Sequence, residues 1–360
     1  MPALDGLRGI AALIVVLVHC SFNVGADYAV PQLRPYVYAG SMGVPLFFVI
    51  SAYCLFGTYA SLKVRNARTA MFAFWIKRLC RIIPLWWIWL AIYTHWHAET
   101  MRQAFASAFF YWGFWRYGPY HDVFPGGWTL FVEETFYWLF PLLFPFFHSI
   151  SRMVIAATLL FIVSIIWVSY GSLFGVPSSN DFLDFSPVNF WFCFFLGMAC
   201  HQVMSDRARR QLIAQWCTRY GGIAALVLVA GWLEWCTKSH RGVVLVFAAL
   251  VLVACSGSNF VSRVVSVQPL RWLGQRCYSM YLCHFFIIEY FSPRTFVPLS
   301  QRLGLPPYVE VRLLIWFPIV VAATALVSAV TFVLFEKPSI KLGSWICARL
   351  NDRMIVPRPA

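Results

Sequence analysis

Arg8 and His19 stand eleven residues apart, with ten uncharged residues between them, in the run LDGLRGIAALIVVLVHC of residues 4–20. On an α-helix eleven steps return to within about 20° of the starting direction, so both side chains share one face, about 16 Å apart along the axis. The run is apolar enough to lie in a membrane, which puts the guanidinium near one surface and the imidazole well inside. Such an arrangement can hold an anionic carrier by its head while the carrier's reactive end reaches a base. Ionisable groups at membrane depth are costly and face a cavity or a partner, so function is the first reading. The alternative is an arginine that sets topology and a histidine satisfied by a neighbouring helix. A cleaved signal peptide is a third reading, but His19 occupies the position where the end LVHC would need a small residue, so the helix is read as retained.

Three further stretches carry chemistry. In WTLFVEETFYWLF, Glu133 and Glu134 lie five and six residues into a predicted span that starts from the outer side. His19 is about five residues from the outer end of its own span, so the carboxylates and the imidazole share a depth. A carboxylate that orients an imidazole and stabilises its protonated form is the general-base logic of acyl transfer. Adjacent carboxylates diverge by about 100° on a helix, so one of the two is expected to reach His19. The alternative is an acidic pair bracing a helix start.

WIKRLCRIIP places Arg78 and Arg81 three apart on one helix face, a guanidinium pair suited to a phosphate. Lipid headgroup phosphates are the competing ligand. CYSMYLCH puts Tyr281 and His284 on one face, His284 near mid-membrane, as a second candidate for contact with a thioester or an acceptor; a helix-packing histidine is the other reading. Ser279 has no nucleophile elbow around it. His121, followed by Asp122 just before the Glu-bearing span, is placed to touch an acceptor. No HExxH, P-loop or Rossmann pattern is present.

The elements that position these residues follow from composition. Of 360 residues 61% are hydrophobic and only 12% charged, where soluble domains run near 25% charged. The expected fold is therefore all-α, a polytopic transmembrane bundle, with the chemistry done by helices and short loops. Ten spans are expected, over about 6–24, 41–61, 84–97, 128–149, 153–172, 187–204, 220–236, 242–258, 273–291 and 313–335, with a short interfacial helix in 101–117. Ten spans put both termini on one side, where 20 of the 28 Lys and Arg also fall, so both termini are expected to be cytoplasmic. The net charge of +14 reads as orientation and contact with anionic membrane lipids, not nucleic acid. Eleven cysteines without a CxxC pair behave as small buried hydrophobes and imply no metal. With no internal repeat or linker, residues 1–360 are expected to form one domain. A transporter or flippase, making no bond, fits the helix count and the intramembrane charges equally well, but lacks inverted half-repeats.

Taken together, LDGLRGIAALIVVLVH, GVPLFFVIS, KRLCRIIP, WTLFVEETFYWLFP, CYSMYLCH and FEKP resemble, in order, the signatures of the acyltransferase 3 family. The resemblance covers about residues 4–338. It implies an integral-membrane enzyme of about ten core helices in the cytoplasmic membrane of a bacterium. The reaction it implies takes an acyl group, usually acetyl, from cytoplasmic acyl-CoA to a hydroxyl of an extracytoplasmic or lipid-linked carbohydrate, with acetyl-CoA as co-substrate. On that resemblance His19, Glu133 and Glu134 are the catalytic candidates. Arg8, Arg78, Arg81, Tyr281 and His284 are the donor-binding candidates, and Trp128 and His121 the acceptor contacts. Pro45 and Ala52 depart from the family's GVDLFFVLSG pattern, so no second-span acid is assigned. A soluble hydrolase-like domain carried by some members is not expected here, so the acceptor binds the membrane domain itself or is handed on; acceptor choice is expected in the stretch 98–127, whose aromatic faces can stack on sugar rings and apolar lipids alike.

Overall fold

The computed structural model describes residues 1–24, 39–97, 100–110, 124–174, 181–238, 242–257, 259–291, 297–304 and 309–354. Among them the regular structure is helical throughout, the form in which a single segment satisfies its own backbone in lipid. Five helices are long and apolar enough to cross a membrane: Pro2–Phe22, Gly40–Arg65, Ile150–Tyr170, Arg207–Gly231 and Val311–Leu350. Trp191–Ser205 and Val243–Cys255 are shorter apolar helices, at two positions where full spans are expected. The span expected from Pro84 is the second half of a longer helix. Ala70–Trp96 is continuous, with Pro84 inside it; the backbone hydrogen bond lost there is offset by burial of Leu85, Trp86, Trp89 and Leu90 just beyond.

The described residues gather into two compact units, Met1–Ser51 with Gln202–Ala329, and Ala52–His201 with Val330–Ala360. In the first, the Pro2–Val24 helix packs along Gln268–Gln275 and against Cys277–Phe291. Two glycines make this possible. A Cβ on Gly9 would overlap the Leu270 carbonyl, and one on Gly274 would overlap the Asp5 carbonyl and come within 2.9 Å of the Gly9 nitrogen. The helices therefore meet backbone to backbone, the small-residue packing that membranes favour. Asn259 makes the corner that precedes this pair. It accepts from the Ser262 N–H at 2.8 Å, capping Phe260–Val265, while its amide donates to the Val253 carbonyl at 2.8 Å.

The second unit has an aromatic core. Phe136 stacks on Phe194 with ring centroids 4.3 Å apart, and Tyr59, Phe74, Phe140 and Phe144 interlock at 4.8–5.9 Å, within the range of favourable aromatic pairs. In the stretch where a short helix is expected, Met101–Ala108 is helical, opened by a capping box of Thr100 and Gln103, and residues 111–117 lie outside the described residues. Trp86 and Trp87 donate their indole N–H groups to the Ser107 and Ala108 carbonyls, tying that helix to Ala70–Trp96. The last helix, Lys337–Met354, lies on Ala70–Trp96 as well: Gly343 seats against Cys80, and the Cys347 thiol donates to the Ala73 carbonyl at 3.5 Å. A π-helical turn at Phe332–Glu336 leads into it, with the Lys337 N–H bonded to Phe332. Pro338 explains the turn: its ring displaces the carbonyl of Leu334, four residues back, and the hydrogen-bonding pattern widens by one residue.

Candidate active site

His19 sits in the last turns of the Pro2–Val24 helix, and His284 midway along Cys277–Phe291. The packing of these helices brings the two imidazoles to a centroid separation of 5.3 Å, inclined at 44°. Phe285 lies against both rings, at 4.2 Å from His19 and 4.1 Å from His284, and Phe22 closes on His19 at 6.0 Å. His284 is wholly buried. Its Nδ1 is 2.7 Å from the carbonyl oxygen of Tyr281; a carbonyl only accepts, so Nδ1 carries the proton and neutral His284 presents a lone pair at Nε2. That Nε2 has no hydrogen-bond partner among the described residues. Tyr281 thus serves the site through its backbone, with its ring 5.6 Å from the imidazole.

Arg8, on the same helix as His19, pairs with the Asp5 carboxylate one turn earlier at 3.5 Å. The pair keeps a guanidinium at the start of the helix whose other end carries the imidazole, as the spacing predicts.

The basic and acidic candidates belong to the second unit. Arg78 projects from Ala70–Trp96 with its guanidinium 5.7 Å from the Phe74 ring centre and 5.8 Å from that of Tyr137, a cation–π setting. It interacts electrostatically with Glu133, Glu134 and Tyr137, and is repelled by Arg81. Glu134 is buried, 5% exposed. Its Oε1 and the Arg78 Nε are buried without a hydrogen-bond partner among the described residues. One orphaned acceptor and one orphaned donor in a charged cluster are what a bound polar group or ordered water completes. Trp128, at the head of the Gly127–Leu143 helix, stacks on Phe185 at 4.6 Å and touches Phe190 at 5.1 Å. His121 lies outside the described residues. Among the described residues no three His, Cys, Asp or Glu side chains gather as a metal site.

Sequence spacing misses two features of this arrangement. One is the approach of His284 to His19, which joins helices far apart in the chain. The other is the aromatic seat of Arg78. Tyr137 stands four residues beyond Glu133 on one helix, so an i, i+4 reading of that segment would have placed the phenol beside the carboxylate.

The comparisons with known proteins agree with the motifs. The family model described as an acyltransferase domain matches residues 1–335, and the chain belongs to this family, acyltransferase 3. It is similar to a peptidoglycan O-acetyltransferase, OatA, of Listeria monocytogenes, 24% identical over 379 residues that cover 95% of this chain and 56% of that protein. It is similar also to an O-acetyltransferase, OatA, of Staphylococcus aureus, 25% identical over 374 residues covering 95% of this chain and 58% of that protein. The chain spans little more than half the length of the curated relatives it matches. No solved structure matches it.

Proposed function

We propose that this chain is a membrane O-acyltransferase that moves an acyl group, acetyl in the first instance, from cytoplasmic acyl-CoA to a hydroxyl of an extracytoplasmic or lipid-linked carbohydrate. Peptidoglycan, named for the Listeria relative, is the first acceptor to try. The observation that carries the reading is the pairing of His19 with the buried imidazole of His284 within a chain matched by an acyltransferase family over nearly its whole length.

In the proposed mechanism Arg78 and Arg81, with Arg8, hold the phosphates of acyl-CoA at the cytoplasmic mouth, and the pantetheine arm runs between helices. Arg78 suits this role because its planar guanidinium lies against the rings of Phe74 and Tyr137 and keeps an unused N–H. His19 takes the proton of the acceptor hydroxyl as its oxygen attacks the thioester carbonyl. The C–O bond forms, the C–S bond breaks, and the departing thiolate takes the proton back from the imidazolium to leave as CoA. Transient acylation of His19 is the other route. Glu133 or Glu134 supplies the carboxylate that stabilises the charged imidazole, and Trp128 and His121 contact the acceptor. Ten spans with cytoplasmic termini, in the inner membrane of a bacterium, are part of the same reading.

The test is transfer from radiolabelled acetyl-CoA by the purified chain in nanodiscs, with peptidoglycan fragments and lipid-linked saccharides as acceptors. CoA release and label transfer that fall by about 10²–10⁴-fold in His19→Ala support the reading. Wild-type transfer by a folded His19→Ala protein sinks the assignment of His19. If no CoA binds and no label moves, transport without bond formation takes its place.

A further inference from the structure

His284 is buried at a depth where an unpaired polar atom is costly, yet its Nε2 has no hydrogen-bond partner among the described residues. It lines a small cavity of about 10 Å³ whose other walls are Ala12, Val15, Val16, Phe47, Met280 and Tyr281. That volume is at the lower limit for one water, and a buried water needs two to four polar partners. These walls are almost wholly apolar, so water does not account for the lone pair. A neighbouring group of matching chemistry is the imidazole of His19. A nitrogen-to-nitrogen bond of roughly 3 Å, with a little over 1 Å of ring on each side, puts two imidazole centroids about 5 Å apart. The observed separation is 5.3 Å with the rings inclined at 44°, so a small rotation of either ring makes the bond that the structure leaves open at Nε2.

We propose that His284 is a positioning residue for His19. The Tyr281 carbonyl fixes the His284 tautomer, the buried lone pair left at Nε2 accepts the N–H of one His19 nitrogen, and the other His19 nitrogen is left as the lone pair that meets the acceptor hydroxyl. This rests on the reading of His19 as the reacting base. When His19 takes the hydroxyl proton, the positive charge formed on its ring is held by the bond to His284, and no net proton passes to His284. The arrangement is a relay of carbonyl, imidazole and imidazole, in which the second ring does the orienting that a carboxylate does in a triad.

The experiment compares wild type with His19→Ala, His284→Phe and His284→Gln, as full chains in nanodiscs, by CoA release from acetyl-CoA with peptidoglycan fragments. His284→Phe is expected to lose about 100-fold in kcat while KM for acetyl-CoA moves by about twofold or less. His284→Gln keeps an acceptor oxygen near the place of Nε2 and is expected to recover about tenfold over the Phe variant. Equal activity of the Gln and Phe variants, or full activity of the Phe variant, overturns the proposal. Full activity of His19→Ala overturns instead the reading on which it rests. A nitrogen NMR spectrum of ¹⁵N-histidine-labelled protein, with His284→Gln to assign the signal, gives a readout independent of turnover. A neutral ring protonated at Nδ1 is expected, and a ring protonated at Nε2 overturns the proposal.

Discussion

Arg78 sits beside the rings of Phe74 and Tyr137, and that setting decides which substitutions it tolerates. A lysine keeps the charge but not the plane, so it loses both the ring contacts and the fork that grips a phosphate. Arg78→Lys is expected to raise KM for acetyl-CoA about tenfold, the loss of one charge-assisted hydrogen bond, with kcat little changed; steady-state kinetics in nanodiscs measures the split. Glu134 poses the complementary question, since its buried Oε1 is unpaired among the described residues. If its charge stabilises the imidazolium, Glu134→Gln loses about 100-fold in kcat and leaves acetyl-CoA binding intact. An equal loss of binding assigns the carboxylate to bracing Arg78 instead. Residue types and helix faces were legible in the sequence: the shared face of Arg8 and His19 needs only helical periodicity. The partner of His284 was not, because a contact between distant helices leaves no trace in local spacing.

Helix packing sets the positions of these groups, and Gly274 is its most exacting point. The space that a side chain there would need is filled by the Asp5 carbonyl and the Gly9 nitrogen. Gly274→Val forces the helices apart and is expected to cost on the order of 1–3 kcal/mol, lowering the melting temperature in detergent. It also shifts the helix that carries Arg8 and His19, so transfer falls even in the protein that stays folded. Gly304→Ala is the control. It has open space around it but a positive φ of 58°, so it costs stability of about 1 kcal/mol through strain alone and leaves turnover unchanged. The existence of helices was readable from the apolar runs, but their limits were not. Ala70–Trp96 passes through Pro84 because burial outweighs one lost hydrogen bond. The π-helical turn before Lys337–Met354 answers to a proline two residues beyond its end.

At the scale of the whole molecule, composition alone identifies a membrane protein, and five helices have the length and apolar character to cross one. The remaining predicted spans coincide with shorter or aromatic-rich helices, in which tryptophan and tyrosine lower the mean hydropathy while still packing well. The proposed orientation is tested by labelling. Ser344 is exposed on the last helix. In a cysteine-free background, Ser344→Cys is expected to react with an impermeant maleimide only when the inner face of the membrane is opened, and labelling of intact cells reverses the orientation. The backbone contact between the Pro2–Val24 helix and Gln268–Gln275 has a consequence in time. A ribosome adding about 5–20 residues per second needs roughly a quarter of a minute to a minute to travel from the one to the other. Throughout that interval the newborn first helix must wait in the bilayer with its histidine still apart from His284, an obvious client for whatever insertion factor shelters polar side chains until the late helices arrive.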